Sequence, residues 1–245
     1  MKAETGIEGL DELIGGGLPQ GRVYLLNGSP GSGKSTFGMQ YLTHGASFGA
    51  AGLYVTLMQN SEHLVADIST YSLNLPALLK MKKIFFADLG PEMEYGYMDE
   101  LKEVITPKSD MNPYPVEGEP PSASIVFKEI SAHVAANDIK RVVVDPLSSI
   151  RFSNQDECLE KMEMARFVRN LQALGCTTLL IDDHPTPLSV SSEHFAADGV
   201  ILFHNPASDD EDRSLQIIKM RGVPHPISRQ AFRFGEKGIE VLGRR

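Results

Sequence analysis

The sequence predicts an α/β fold: a mostly parallel, twisted sheet flanked by helices, with a C-terminal antiparallel extension. Three observations predict it. Short apolar, β-branched runs alternate with stretches of helical periodicity, the pattern of βα units around a parallel sheet. The first strong run, Val23-Tyr-Leu-Leu-Asn27, leads through a glycine-rich turn straight into a helical stretch. From about residue 214 the helices stop and the order becomes strand, turn, strand, with Arg221-Gly-Val-Pro and Gly235-Glu-Lys-Gly as turn signals.

In chain order, strands are predicted at 22–27, 53–57, 83–87, 140–145, 177–182 and 199–203. Helices are predicted between them at 34–47, 61–70, 124–136 and 156–174, the last two with apolar residues recurring at helical spacing. The stretch 90–122 breaks this rhythm. It is rich in proline and acidic residues and holds one short helical candidate at 98–105, so it reads as a long surface excursion. Such a segment is either a solvated loop or an element that recruits a protein partner or covers a site. The length 1–245 is read as one domain, because it supports a single large core and is short for two average domains.

Composition narrows the class. Hydrophobic residues at 42% with 22% charged residues suit a soluble globular chain rather than a fibrous or disordered one. A formal charge of -9 disfavours a broad basic surface, so nucleic acid is not an expected partner. The two cysteines, Cys158 and Cys176, are too few for a disulfide framework and are read as reduced packing residues of a cytoplasmic protein. The N-terminal residues lack the apolar core of a secretory signal, and no run approaches the ~18 apolar residues of a membrane helix.

Gly28, Gly33, Lys34 and Ser35 fill the fixed places of G-x-x-x-x-G-K-[ST], with Ser29, Pro30, Gly31 and Ser32 between them and Thr36 following. Each residue type has a physical task. Glycines let backbone N–H groups turn onto phosphate oxygens, and the helix that starts near Lys34 adds its N-terminal partial positive charge. Lys34 reaches the β- and γ-phosphates as a point charge, and the Ser35 hydroxyl ligates Mg²⁺. A carboxylate must stand near that metal. Asp145, closing the run Arg141-Val-Val-Val-Asp145, is the natural partner, since ligands of open α/β sheets sit beyond the carboxyl ends of strands. The implied cofactors are ATP and Mg²⁺.

Further stretches are distinctive beside this loop: residues 5–21 (TGIEGLDELIGGGLPQG), Leu53-Tyr-Val-Thr-Leu57, Ala196-Ala-Asp-Gly-Val-Ile201, and 213–222, which ends Lys219-Met-Arg-Gly222. With them the chain resembles the KaiC-like branch of the RecA superfamily of ATPases over nearly its whole length. The resemblance implies a RecA-like P-loop NTPase core that assembles into rings, usually hexamers, with ATP at the subunit boundary. Lys219 and Arg221 match the position from which family members send basic residues onto the neighbouring subunit's γ-phosphate, and His225 falls near another family contact. On a regular strand, residues two apart also share a face, as a phosphate clamp needs.

One departure bears on mechanism. Family members that hydrolyse ATP well usually carry a Glu pair after the second strand, where a carboxylate polarises the attacking water. Here those places hold Met58 and Gln59. Gln59 can orient a water without taking its proton. Glu62, one helical turn on, is an alternative base, although a glutamate at a helix start also serves the helix dipole. Asp182, Asp183 and His184, after the run Thr177-Thr-Leu-Leu-Ile181, are further alternatives, equally readable as a strand-end turn.

Three functions follow from these residues. The first is an ATP-dependent switch or weak ATPase acting in a ring. The second, a recombinase-like DNA-dependent ATPase, meets loops at 147–157 and 184–197 that hold between them only Arg151 as a cation, too little to neutralise several phosphates. The third is a non-hydrolysing ATP-bound scaffold.

Overall fold

A computed structural model describes residues 1–90, 105–106, 120–152, 157–183, 196–205 and 212–242. The chain opens with β1 (Lys2–Ala3) and β2 (Leu18–Pro19), an antiparallel pair around the one-turn helix α1 (Leu10–Leu13). It continues through β3 (Val23–Gly28), α2 (Lys34–Ser47), β4 (Gly52–Thr56), α3 (Ser61–Ile68), α4 (Leu75–Lys80) and β5 (Ile84–Asp88). After β6 (Ile105–Thr106) come α5 (Ala123–Asn137), β7 (Arg141–Asp145), α6 (Glu157–Ala173), β8 (Thr177–Asp182) and β9 (Gly199–His204). β10 (Ser214–Met220), β11 (Gln230–Gly235) and β12 (Gly238–Val241) follow.

Among the described residues the main sheet has the order β12-β11-β10-β9-β3-β8-β7-β4-β5-β6. Neighbours from β9 to β6 run parallel, whereas β10, β11 and β12 are added antiparallel. The predicted α/β class is therefore the observed one, and every predicted strand lies within one residue of an observed strand.

Alternation along β3 shows how the sheet is buried on both faces. Tyr24 and Leu26 join the core under α2, α3 and α4, with Phe37, Tyr41 and Leu64. Val23 and Leu25 join the core under α5 and α6, with Ile130, Phe167 and Leu171. A strand covered on both sides reads as an unbroken apolar run, which is why the central strands were legible.

Three expectations are corrected. α3 ends at Ile68 rather than residue 70, because the hydroxyls of Ser69 and Thr70 bond back to the carbonyls of Val65 and Asp67, each at 2.6 Å, and close the last turn. The C-terminal extension has three strands, with Gly235–Gly238 as the turn between β11 and β12. Cys158 is exposed on α6, so only the buried Cys176 is a packing residue. The helical candidate at 98–105 falls outside the described residues except for Ile105, which opens β6. Most of the excursion at 90–122 also lies outside them.

Candidate nucleotide-binding site

Strand register builds the site. β3 is paired with β8 through Asn27 and Asp182, and with β9 through Gly28 and Phe203. β4 meets β7 at Thr56 and Asp145. Gly28, Asp145 and Asp182 therefore come to the carboxyl edge of the sheet, where β8 and β9 flank the strand that leads into the loop. Open α/β sheets bind ligands at such an edge.

The loop turns sharply after β3. Gly33 has φ +106°, and a Cβ there would lie 2.8 Å from the Phe234 ring, so glycine is required on both counts. Gly31, at φ +74°, would place a Cβ with no neighbour within 4 Å, so this backbone faces open space where a ligand can approach it. α2 then begins at Lys34, and the first-turn N–H groups of a helix have no partner within it.

Lys34 is only 4% exposed. Its ammonium donates to the carbonyls of Gly28 at 2.7 Å and Ser29 at 2.9 Å, lies 3.4 Å from Ser32 Oγ, and pairs with Asp183 Oδ1 at 2.9 Å. Beside it, Ser35 Oγ donates to Asp145 Oδ2 at 2.6 Å, and the Tyr54 hydroxyl donates to the same oxygen. Burial pushes the Asp145 carboxyl above the ordinary aspartate range; the bonds from Ser35 and Tyr54 oppose this, and Asp183 adds to it. Burial, reinforced by Asp145, holds the Tyr54 hydroxyl well above its usual value, which keeps it a donor.

These groups open into a cleft of about 480 Å³. It is lined by Pro30, Gly31, Gly33, Lys34, Ser35 and Thr36 from the loop and α2, by Met58 and Gln59 after β4, and by Asp145, Pro146 and Asp183. Tyr71, Arg213 and Phe234 complete the lining. Gly28, Ser29 and Ser32 are not among the lining residues and contact the Lys34 ammonium. A hydroxyl and a carboxylate in contact are the hard oxygen donors that suit Mg²⁺, which needs few protein ligands when phosphates supply the rest.

The structure separates the candidate catalytic residues. Gln59 and Asp183 line the cleft, while Glu62 is not among the lining residues; its N–H is capped by Asn60 Oδ1 at 2.8 Å, at the start of α3. Asp182 is buried and His184 lies outside the described residues. Lys219 and Arg221 stand at the opposite end of the sheet, because β10 runs antiparallel and carries only Ser214 beside the loop end of β9. Nor do they share a regular strand face: a register shift falls between Ile217 and Lys219, and β10 ends at Met220, so Arg221 is in the turn before Gly222. Lys219 Nζ donates to the Ala197 carbonyl at 2.6 Å, and Arg221 Nη1 is 3.6 Å from Asp198 Oδ1. His225 Nδ1 lies 2.9 Å from the Val223 carbonyl oxygen.

Sequence reasoning gives no role to Tyr54, Tyr71, Arg213 or Phe234. Arg213 donates to the Gly31 carbonyl at 2.8 Å and lies 5.0 Å over the Phe234 ring, so the antiparallel extension closes one side of the cleft. Tyr54 carries a legible signal, since alternation along β4 sets it on the same face as Thr56 and Gly52, toward α2.

A protein-family model described as "ATPase: KaiC" matches residues 3–245. The circadian clock oscillator protein KaiC of Prochlorococcus marinus subsp. pastoris is 28% identical over 249 residues, covering 99% of this chain and 45% of its own length. The chain thus spans about half the length of that relative. A UPF0273 protein of Pyrococcus furiosus is 30% identical over 258 residues, covering 98% of this chain and 93% of its own length. Among solved structures, a KaiC-like protein from the hyperthermophilic archaeon Pyrococcus horikoshii superposes with a TM-score of 0.78 at 28% identity, covering 99% of both chains.

Proposed function

The chain belongs to the KaiC family of ATPases, and from that premise we propose that it binds Mg-ATP, hydrolyses it slowly, and works as a nucleotide-dependent switch in a ring of its own copies. One observation carries the reading: the buried Lys34 ammonium and the Ser35–Asp145 pair line a single cleft at the carboxyl edge of the sheet. Lys34 and the N–H groups of the loop and α2 hold the phosphates. Ser35 and Asp145 hold the metal, which when bound offsets phosphate charge.

Slow turnover is supported by Met58 and Gln59, which bring no carboxylate to the cleft. Assembly is supported by Lys219 and Arg221, which lie too far along the sheet to serve their own cleft, and by the Arg221 side chain, which is 55% exposed. Family likeness suggests a hexamer with ATP at each boundary, residues 1–245 forming the single ATPase domain. Among the described residues no helix is long and apolar enough to cross a membrane. We place the protein in the cytoplasm.

Calorimetry with and without Mg²⁺, together with mass measurement in each nucleotide state, tests the reading. Mg-dependent ATP binding and an ATP-dependent larger particle are expected. Equal ATP affinity for the parent and Lys34→Ala would overturn the site, and an unchanged monomer with ATP would overturn the ring.

A further inference from the structure

We propose that Asp183 is the catalytic carboxylate that takes the proton from the attacking water, a role that rests on the Mg-ATP reading above. Hydrolysis requires an acceptor for that proton near the γ-phosphate, and the cleft offers few. Gln59 lines it, but an amide cannot serve as the base, and its Nε2 is turned toward Asp67 Oδ2 at 3.5 Å. Glu62 is not among the lining residues. Asp145 is engaged by Ser35 and Tyr54. Among the described residues that line the cleft, Asp183 remains: a carboxylate, 41% exposed, just after β8.

Its position suits the reaction. A water poised for attack stands ~3–3.5 Å from phosphorus and ~2.6–3.2 Å from its base, which sets base and phosphorus about 6 Å apart. Asp183 Oδ1 lies 2.9 Å from Lys34 Nζ, the cation that meets a γ-oxygen in loops of this kind, so the carboxylate stands beside the place of the γ-phosphate. Asp183 also stands close enough to Asp145 and Tyr54 to raise their pKa values, which places it at the metal-facing part of the cleft.

The step balances. The water oxygen forms a bond to the γ-phosphorus as the bond from that phosphorus to the β,γ-bridging oxygen breaks. ADP leaves with the electron pair, and one water proton passes to Asp183 and on to solvent through its exposed side.

Single-turnover cleavage at saturating Mg-ATP, measured alongside calorimetric affinity on the full chain, tests this with Asp183→Asn and Asp183→Glu. Asparagine keeps the shape and loses the base; glutamate keeps the base. Asp183→Asn should cleave ~10²–10⁴-fold more slowly, with ATP affinity within about threefold of the parent. Asp183→Glu should cleave at least about tenfold faster than Asp183→Asn. Parent-like cleavage by Asp183→Asn, equal impairment of both variants, or a rate loss matched by lost affinity would each overturn the role. A parent that binds Mg-ATP without cleaving it would overturn this proposal alone, whereas a parent that fails to bind would overturn the nucleotide reading with it.

Discussion

Ser35 Oγ and Asp145 Oδ2 lie 2.6 Å apart although 110 residues separate them in the chain. The contact joins the first turn of α2 to the end of β7, across the strand pairing that brings Asp145 to the loop edge. If this pair holds the metal, Ser35→Ala and Asp145→Asn should keep Mg-independent ATP binding and lose most of the gain that Mg²⁺ brings. Lys34→Ala should lower affinity with or without the metal, by roughly tenfold or more, as expected for a hydrogen bond to a charged group worth about 1.5–3 kcal/mol. Calorimetric titration of ATP into the variants, with Mg²⁺ and with chelator, separates the two patterns.

Tyr54 should act on Asp145 as a positioning residue. Its ring packs at 5.7 Å from Phe86 and its hydroxyl donates to Asp145. Tyr54→Phe keeps the ring and removes one donor from a partly buried carboxylate, which should cost about 1.5–3 kcal/mol of stability. The urea midpoint should fall with an unchanged slope, and Mg²⁺ affinity in the ATP complex should weaken as Asp145 loses its orientation. An unchanged midpoint would show that water replaces the hydroxyl.

The loop was legible because its signal is local: fixed spacing between glycines, Lys34 and Ser35, placed between an apolar strand and a helical stretch. Asp145 was legible for the same reason, as a carboxylate ending a buried run. The rest of the cleft depends on contacts between distant segments. Arg213 and Phe234 reach it only because β10 and β11 fold back beside β9, and no spacing in the sequence links them to Gly31. α1 and α4 escape periodicity because Leu10–Leu13 and Leu75–Lys80 are shorter than two turns. Lys219 and Arg221 show the converse. Their spacing suggests a shared strand face, but the register shift before Lys219 and the end of β10 at Met220 set their directions.

Stability should decline at mildly acidic pH through His133. Burial lowers the pKa of this α5 side chain from 6.5, with Glu129 opposing. Between pH 6.5 and the lowered folded value, the unfolded chain binds more protons than the folded one, so stability falls as pH falls through that window. His204, also lowered mainly by burial, acts in the same direction. Urea midpoints at pH 7.5 and 5.5 should differ less for His133→Gln than for the parent. An equal difference would assign the acid sensitivity to other groups.

Arg221 should act across a subunit boundary. Within its own chain it lies at the far end of the sheet from Lys34, since β9 runs parallel to β3 and β10 runs back along β9 from Ser214 to Met220. Its backbone is fixed there: its N–H donates to the Asp198 carbonyl at 2.9 Å and its own carbonyl accepts from Arg22 Nη1 at 2.5 Å. The side chain is 55% exposed and its Nη1 lies 3.6 Å from Asp198 Oδ1, and a guanidinium's planar fork suits phosphate oxygens. Arg221→Ala and Lys34→Ala should each abolish most turnover alone, the first with ATP binding retained. Mixed in equal amounts, they should regain activity, because about one boundary in four of a closed ring then joins an intact loop to an intact arginine. Turnover of the mixture, read against subunit exchange followed by mass measurement, decides the matter. Exchange without recovered turnover would place the action of Arg221 within its own chain or outside the reaction.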